Sequence, residues 1–505
     1  MTERPNLLFL FSDQHAQRVA GCYGDRIART PHLDALAARG VSFDNCYCPS
    51  PICVPSRMSM LTGRHPSAQQ CWTNDDHLST GAPTFAHALG AAGLRPTLAG
   101  RAHFVGPDQL HGYVERFVGD HSPNFAGMPP HDLGVLAKAN DPWRESVARS
   151  GRGQSAYQLK DQATTDAAVA HLHELGRRRR AGDGEPFALT VGWILPHAPF
   201  VATPEDYAAF DGRVPPPALT PPKEGEEHPW LGWWRRSRGI TDVTAAEAAR
   251  ARTAYYGLVM RLDRMIGEVL AALDAAGLAD DTLVVYASDH GEQIGERGLW
   301  WKHTLYDDSA KVPCILAWPG RLPEAARRSA VVNLTDLTAT MLDAVGAPSL
   351  PRAQATSFLA VARDARSPWL DTTVSEYCTD AVPAWTGGMA VQQRMLRAGR
   401  FKLIYYHGYP PQLFDLEDDP GERHDLAESP RHRALCEQLQ RQLLADWDPD
   451  AIARRMRERR RDKDLLARWA AATLPAERYR WPMTGEMNRL DETTAGTGDG
   501  ADKSG

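Results

Sequence analysis

Cys53 carries the densest chemistry in the chain. It stands two positions ahead of Pro55 and four ahead of Arg57, in the run Cys-Val-Pro-Ser-Arg-Met-Ser-Met-Leu-Thr-Gly that closes at Gly63. Proline suits the first helical position, because the N–H it lacks would be unbonded there anyway, and glycine suits a helix stop. The run therefore predicts a short helix with Cys53 beside its positive end, where free backbone donors face an anion. Arg57, one turn in, adds a fixed fork of donors for sulfate or phosphate oxygens. A nucleophile, a helix terminus and an arginine this close together form an oxyanion site. A buried structural cysteine is the plainer alternative for Cys53 alone, and the whole string argues against it.

The elements that must hold such a site are legible around it. Apolar runs bounded by turn residues alternate with helical patterns, which predicts a mainly parallel sheet sandwiched by helices. The clearest strands are 6–11, 96–99, 187–193, 282–287 and 314–318. Between the third and fourth, Tyr255, Leu258, Val259, Leu262, Ile266, Val269, Leu270 and Leu273 follow helical spacing and end before Gly277, which predicts a core helix. Asp13 follows the first strand, Arg101 and His103 the second, His197 the third, and Asp289 with His290 the fourth. In open α/β sheets ligands bind at that carboxyl edge, so four separate segments point at one mouth.

The expected organisation is an α/β catalytic domain over 1–370, a smaller α+β subdomain with an antiparallel sheet over 371–447, and an extension over 448–505, helical and then disordered. The subdomain includes strands 401–406 and 412–416 and a helix over 430–447. The segment 212–237, rich in proline and tryptophan, reads as a long irregular loop of the kind that forms lids or substrate walls. Arg177 to Arg180 and Arg454 to Arg461 lie near acidic residues and read as solvated helix faces.

A net charge of -6 over 505 residues gives no reason to expect nucleic acid. The eight cysteines are too sparse for a disulfide scaffold and lack zinc-ribbon spacing. No secretory signal and no long apolar run stand out, so a cytoplasmic protein without a membrane span is expected.

The string from Cys53 to Gly63 resembles the sulfatase signature Cys-x-Pro-Ser-Arg-x-x-x-Leu-Thr-Gly. The segments Gly100 to Gly112, Ser288 to Trp300 and Pro411 to Pro420 are similar to the choline-sulfatase-like branch of that family, within the alkaline phosphatase superfamily. The resemblance implies an alkaline-phosphatase-like fold and a sulfuric ester hydrolase. It implies that Cys53 is oxidised to formylglycine by a formylglycine-generating enzyme, and that the hydrated aldehyde is the nucleophile. It further implies one divalent cation held by Asp13, Gln14, Asp289, His290 and the residue at 53. Oxygen-rich ligation suits calcium first, then magnesium, and the histidine admits manganese. His197, in Pro-His-Ala-Pro-Phe, and Lys302 would supply or steer the leaving group's proton, and His103 would take one in the release step. Asn74 and Arg101 would bind substrate. Where the family usually has lysine, Arg101 stands; a guanidinium neutralises an anion but does not give up its proton.

A phosphonate monoester or phosphodiester hydrolase is the neighbouring alternative, and an unconverted, non-catalytic anion-binding protein the more distant one. The substrate is expected to be a small-molecule or saccharide sulfate ester. Trp230, Trp233, Trp234 and Trp385 are candidates for an aromatic cage. The C-terminal extension suits self-association into a homo-oligomer.

Overall fold

The computed structural model describes residues 4–140, 142–223, 226–380 and 390–491. Strand β1 (Asn6–Asp13) is buried along its whole length because its two faces feed different cores. Leu7, Phe9 and Phe11 point one way and Leu8 and Leu10 the other, the period of two that a strand imposes. On one face Leu8, Leu10, Leu189 and Val191 meet Leu258, Leu262, Ile266 and Val269 of the helix Ala245–Ala275. On the other, Phe9, Phe11, Val285 and Ala287 share a core with Val54, Met58 and Leu61 of the helix Cys53–Thr62.

The main sheet has eight strands. Strand β1 lies parallel between β6 (Phe187–Pro196) and β8 (Thr282–Ser288), with Phe9 opposite Thr190 and Val285. Beyond β6 come β3 (Arg95–Gly100) and β4 (Glu115–Arg116). Beyond β8 come β9 (Cys314–Ala317), β2 (Val41–Tyr47) and β10 (Ala326–Asn333). Strand β9 runs antiparallel to both neighbours, so the sheet is mainly parallel. Helices cover both faces, the alkaline-phosphatase-like arrangement.

A separate antiparallel sheet is formed by β11 (Thr372–Cys378), β12 (Gln392–Ala398), β13 (Phe401–Tyr406) and β14 (Gln412–Asp415). The helix Arg433–Leu444 lays Cys436, Leu439 and Leu443 on Leu396, Leu403 and Leu413 of that sheet. The chain then enters the helix Pro449–Thr473 and returns to the main domain. There β15 (Arg489–Leu490) pairs with β5 (Gly151–Gln154), which in turn pairs with β7 (Val201–Ala202).

Several expectations need adjusting. The segment 212–237 is not irregular throughout, because its end forms the helix Pro229–Ser237. The long central helix starts at Ala245, well ahead of its apolar stripe, where Thr244 and Glu247 form a capping box. The stretch 492–505, expected to be disordered, lies outside the described residues. No helix among the described residues is long and apolar enough to cross a membrane.

Candidate active site

The helix Cys53–Thr62 is buried throughout and starts at Cys53 itself, after an extended Ile52, so Pro55 occupies its third position rather than its first. Gly63 closes it at φ +64°. Cys53 Sγ lies 3.2 Å from His290 Nε2, 3.6 Å from Asp13 Oδ1 and 3.5 Å from Lys302 Nζ. The next residue's amide, Val54 N, donates to Asn74 Oδ1 at 3.0 Å.

Asp13, Cys53, Asp289 and His290 offer ligand atoms that all lie within 4.8 Å of one another, and all four residues are buried. Their chemistry fits a cation. His290 Nδ1 sits 3.1 Å from the Gly291 carbonyl; as an oxygen acceptor it calls for the proton there, leaving the Nε2 lone pair facing the cluster. Burial would raise the Asp13 pKa, but Arg101 and Arg57 outweigh it and hold the carboxyl well below its ordinary value, so it stays anionic. Gln14 stands beside this group in a left-handed conformation, φ +67°, which costs about 1 kcal/mol or more. Its backbone N–H donates to Asp289 Oδ1 and its carbonyl accepts from Tyr255 Oη. Its side chain accepts from Lys302 Nζ at 2.7 Å and donates to Glu292 Oε2 at 2.5 Å.

Arg57 behaves differently from the substrate fork read from its spacing. Its Nε donates to Asp289 Oδ2 at 2.8 Å and its Nη2 to Asp13 Oδ2 at 3.1 Å, with the guanidinium over the Phe11 ring. A cation buried to 1 % exposure must be paired, and here it clamps the two acidic groups from behind.

Arg101 is also committed. Nε donates to Asp13 Oδ2 at 2.6 Å, Nη1 to Asp120 Oδ1 at 3.1 Å and Nη2 to His103 Nδ1 at 2.8 Å. Because a guanidinium only donates, Nδ1 of His103 is the acceptor and the ring proton sits on Nε2. Burial, followed by the Arg101 charge, pushes the His103 pKa well below its ordinary value. In this arrangement His103 is a neutral Nε2–H donor, and it can take up a proton only if the Arg101 contact opens.

At the end of β6, Asp161 accepts the Ile194 and Leu195 amides, both at 2.8 Å, and so fixes the strand end that leads to His197. His197 Nδ1 lies 2.6 Å from the Ala198 carbonyl and Nε2 2.8 Å from Lys302 Nζ. Lys302 therefore bridges His197, Gln14 and Cys53. Trp230 and Trp234 are not an open cage: each is 1 % exposed, and they stack on each other at 5.7 Å within the core. Trp233 packs against the same core, and Trp385 lies outside the described residues.

Three residues that sequence reasoning passed over support this site. Asp120, between β4 and the tail, accepts from Arg101, from the Ala102 and His103 amides and from His121 N. Glu292 holds Gln14 and accepts the Ile294 and Trp301 amides. Asp161 is the third. Glu292 carried a signal, since it stands two residues after His290 in a segment already singled out; Asp120 and Asp161 carried none.

Residues 5–347 match the sulfatase family model, and residues 295–447 match the C-terminal model of N-sulphoglucosamine sulphohydrolase. A choline-sulfatase from Rhizobium meliloti (strain 1021) is 32% identical over 483 residues, covering 90% of each chain. Arylsulfatase K from Bos taurus is 28% identical, covering 84% of this chain and 78% of its own. The solved phosphonate monoester hydrolase from Silicibacter pomeroyi superposes with a TM-score of 0.71 at 26% identity, covering 88% of this chain and 95% of that one.

Proposed function

This chain belongs to the sulfatase family, and from that premise we propose that it hydrolyses an organic sulfate monoester at the S–O bond through a formylglycine made from Cys53. What carries the proposal is the convergence of Cys53 with Asp13, Asp289 and His290 within 4.8 Å, at the carboxyl ends of β1 and β8. Conversion of the Cys53 CH2–SH to CHO is an oxidation, carried out by a separate formylglycine-generating enzyme with molecular oxygen as the oxidant and the sulfur released. Asp13, Asp289 and His290, with Gln14 beside them, would hold a divalent cation, calcium, magnesium or manganese, which when bound withdraws charge from the sulfuryl oxygens.

One hydroxyl of the hydrated aldehyde at position 53 gives its proton to solvent water as its oxygen bonds to sulfur, and the ester S–O bond breaks. The leaving alkoxide takes a proton from the Lys302–His197 pair, whose nitrogens are 2.8 Å apart; which of the two passes it on is set by the substrate's pose. The second hydroxyl then loses its proton, the carbonyl re-forms as the C–O bond to sulfate breaks, sulfate leaves, and water adds to the aldehyde to restore the diol. His103 steers that hydroxyl as an Nε2–H donor, and it accepts the proton once Arg101 turns away. Arg101 and Arg57 keep Asp13 ionised.

The test is a panel of sulfated small molecules, sugars and aryl esters, choline sulfate among them, run on protein made with and without the formylglycine-generating enzyme. Sulfate release confined to protein whose Cys53 peptide has lost mass by thiol-to-aldehyde conversion supports the proposal. Turnover by protein with an intact Cys53 thiol would refute it. The likeness to a phosphonate monoester hydrolase makes an aryl phosphonate monoester the necessary comparison substrate, and faster turnover of that ester would reassign the reaction.

A further inference from the structure

The helix Pro449–Thr473 presents one stripe to the protein. Ile452 and Met456 pack with Trp72, Cys378 and Trp447, and further along the same stripe come Arg459, Arg460 and Lys463. The basic run from 454 to 461 is therefore not a wholly solvated face. Lys463, 8% exposed, lies 2.7 Å from Asp76 Oδ1 and donates to Thr73 Oγ1 at 3.1 Å. Arg460 pairs with Asp75 Oδ2 at 2.8 Å and with Asp380 Oδ2 at 3.1 Å. Arg459 stacks on Trp72, donates to the Gln70 carbonyl and lies 3.5 Å from Asp76.

The segment these cations grip is the loop 70–76, and Asn74 sits in it. The loop is also tied internally, since Asp76 accepts the Trp72 and Thr73 amides. Asn74 Oδ1 in turn takes the amide of Val54, in the first turn of the helix that starts with Cys53. A continuous chain of contacts thus runs from the C-terminal helix to the residue next to the nucleophile. That helix lies beyond the residues matched by either family model, which end at 347 and 447.

We propose that Lys463, supported by Arg460 and Arg459, is a positioning residue by which the C-terminal extension sets the loop 70–76, and through Asn74 the start of the nucleophile helix. Cations on one helix and acids on the loop replace the water that would otherwise solvate both, so the loop has one docked position. Burial would raise the Asp75 pKa, but Lys463 and Arg460 lower it, which keeps the pairing ionic at neutral pH. The consequence for turnover rests on the sulfatase reading; the consequence for the loop does not.

The experiment uses the full-length converted enzyme and K463A, with K463R retaining the charge. Hydrogen–deuterium exchange over peptides spanning 53–62 and 70–76, melting temperature, and kcat and KM on an aryl sulfate are measured. K463A should exchange faster in both peptides and raise KM about tenfold, with kcat changing by about twofold or less, and K463R should recover most of both. Exchange and KM indistinguishable from the parent would overturn the proposal. So would a fall in kcat and melting temperature at unchanged KM, which marks a role in folding alone. Should the parent release no sulfate, the sulfatase reading fails while the exchange comparison still decides the clamp.

Discussion

Asp120 offers the sharpest test of how the site is held, because replacing it by asparagine changes one oxygen to an amide and nothing in size. Its Oδ2 accepts the His103 amide at 2.6 Å and the Ala102 amide at 3.2 Å; its Oδ1 accepts Arg101 Nη1 at 3.1 Å and His121 N at 2.9 Å. All four partners are donors, so the amide side chain of D120N can satisfy one pair and must turn its NH2 towards the other. Keeping the Ala102 and His103 amides bonded sets that NH2 against Arg101. With an effective dielectric near 20, the lost Arg101–Asp120 attraction at this separation is about 5 kcal/mol. Arg101 keeps Asp13 at 2.6 Å, so the net loss of stability should be nearer 3 kcal/mol, the low end for breaking a buried pair. The same change frees Arg101 and His103 to move, and D120N should lose roughly 10²-fold in kcat/KM on an aryl sulfate. Burial would raise the Asp120 pKa, but Arg101 and then the His121 side chain outweigh it and hold the carboxyl well below its ordinary value. A depressed carboxyl contributes stability that is present above its unfolded pKa, about 4, and is lost as pH falls towards the folded value. The stability gap between parent and D120N in urea should therefore be full at pH 7 and shrink below about pH 4. A variant with the parent's urea midpoint and kcat/KM within about threefold would refute this account of the site.

Cys53→Ser cannot become an aldehyde by the same conversion and should lose at least about 10³-fold in sulfate release, checked by steady-state kinetics on an aryl sulfate. Chelation should lower the parent's stability by about 3 kcal/mol relative to cation at a hundred times its Kd, and D289A should abolish that response in thermal melts. Arg57→Lys replaces a fork spanning Asp13 and Asp289 by a single ammonium, and divalent affinity measured by calorimetry should fall roughly 10- to 100-fold. Asp336, in the first turn of the helix Leu334–Ala344, has its pKa raised by burial from 3.8 to about 6. A raised carboxyl holds in the native state a proton that the unfolded chain has released, so stability falls as pH rises through that window, by up to about 3 kcal/mol. D336N should flatten the slope of urea stability between about pH 4 and 6.

How much of this was legible in the sequence follows from where each residue's partners lie. The strands β1, β6 and β8 announced themselves because burial on two faces demands unbroken apolar runs. Strand β10 did not, because as an edge strand it opens Ala-Arg-Arg-Ser, half of it facing solvent. The ends of parallel strands share one edge, so Asp13, Arg101, His103, His197, Asp289 and His290 could be gathered from local pattern alone. Side-chain direction could not be read that way. Arg57 has the spacing of a substrate fork, yet its guanidinium turns to two carboxylates behind the site. Trp230 and Trp234 look like a cage in a proline-rich loop, yet they sit on a helix whose apolar face is core. Lys463 shows the limit most plainly: its partner Thr73 is 390 residues away, and nothing local separates it from the solvated arginines of the run that precedes it. A charge run reads as solvated unless its counter-ions are known, and those counter-ions, Asp75 and Asp76, belong to a loop far away in the chain. Whether a cation on such a helix is solvated or fixed is therefore decided by tertiary pairing.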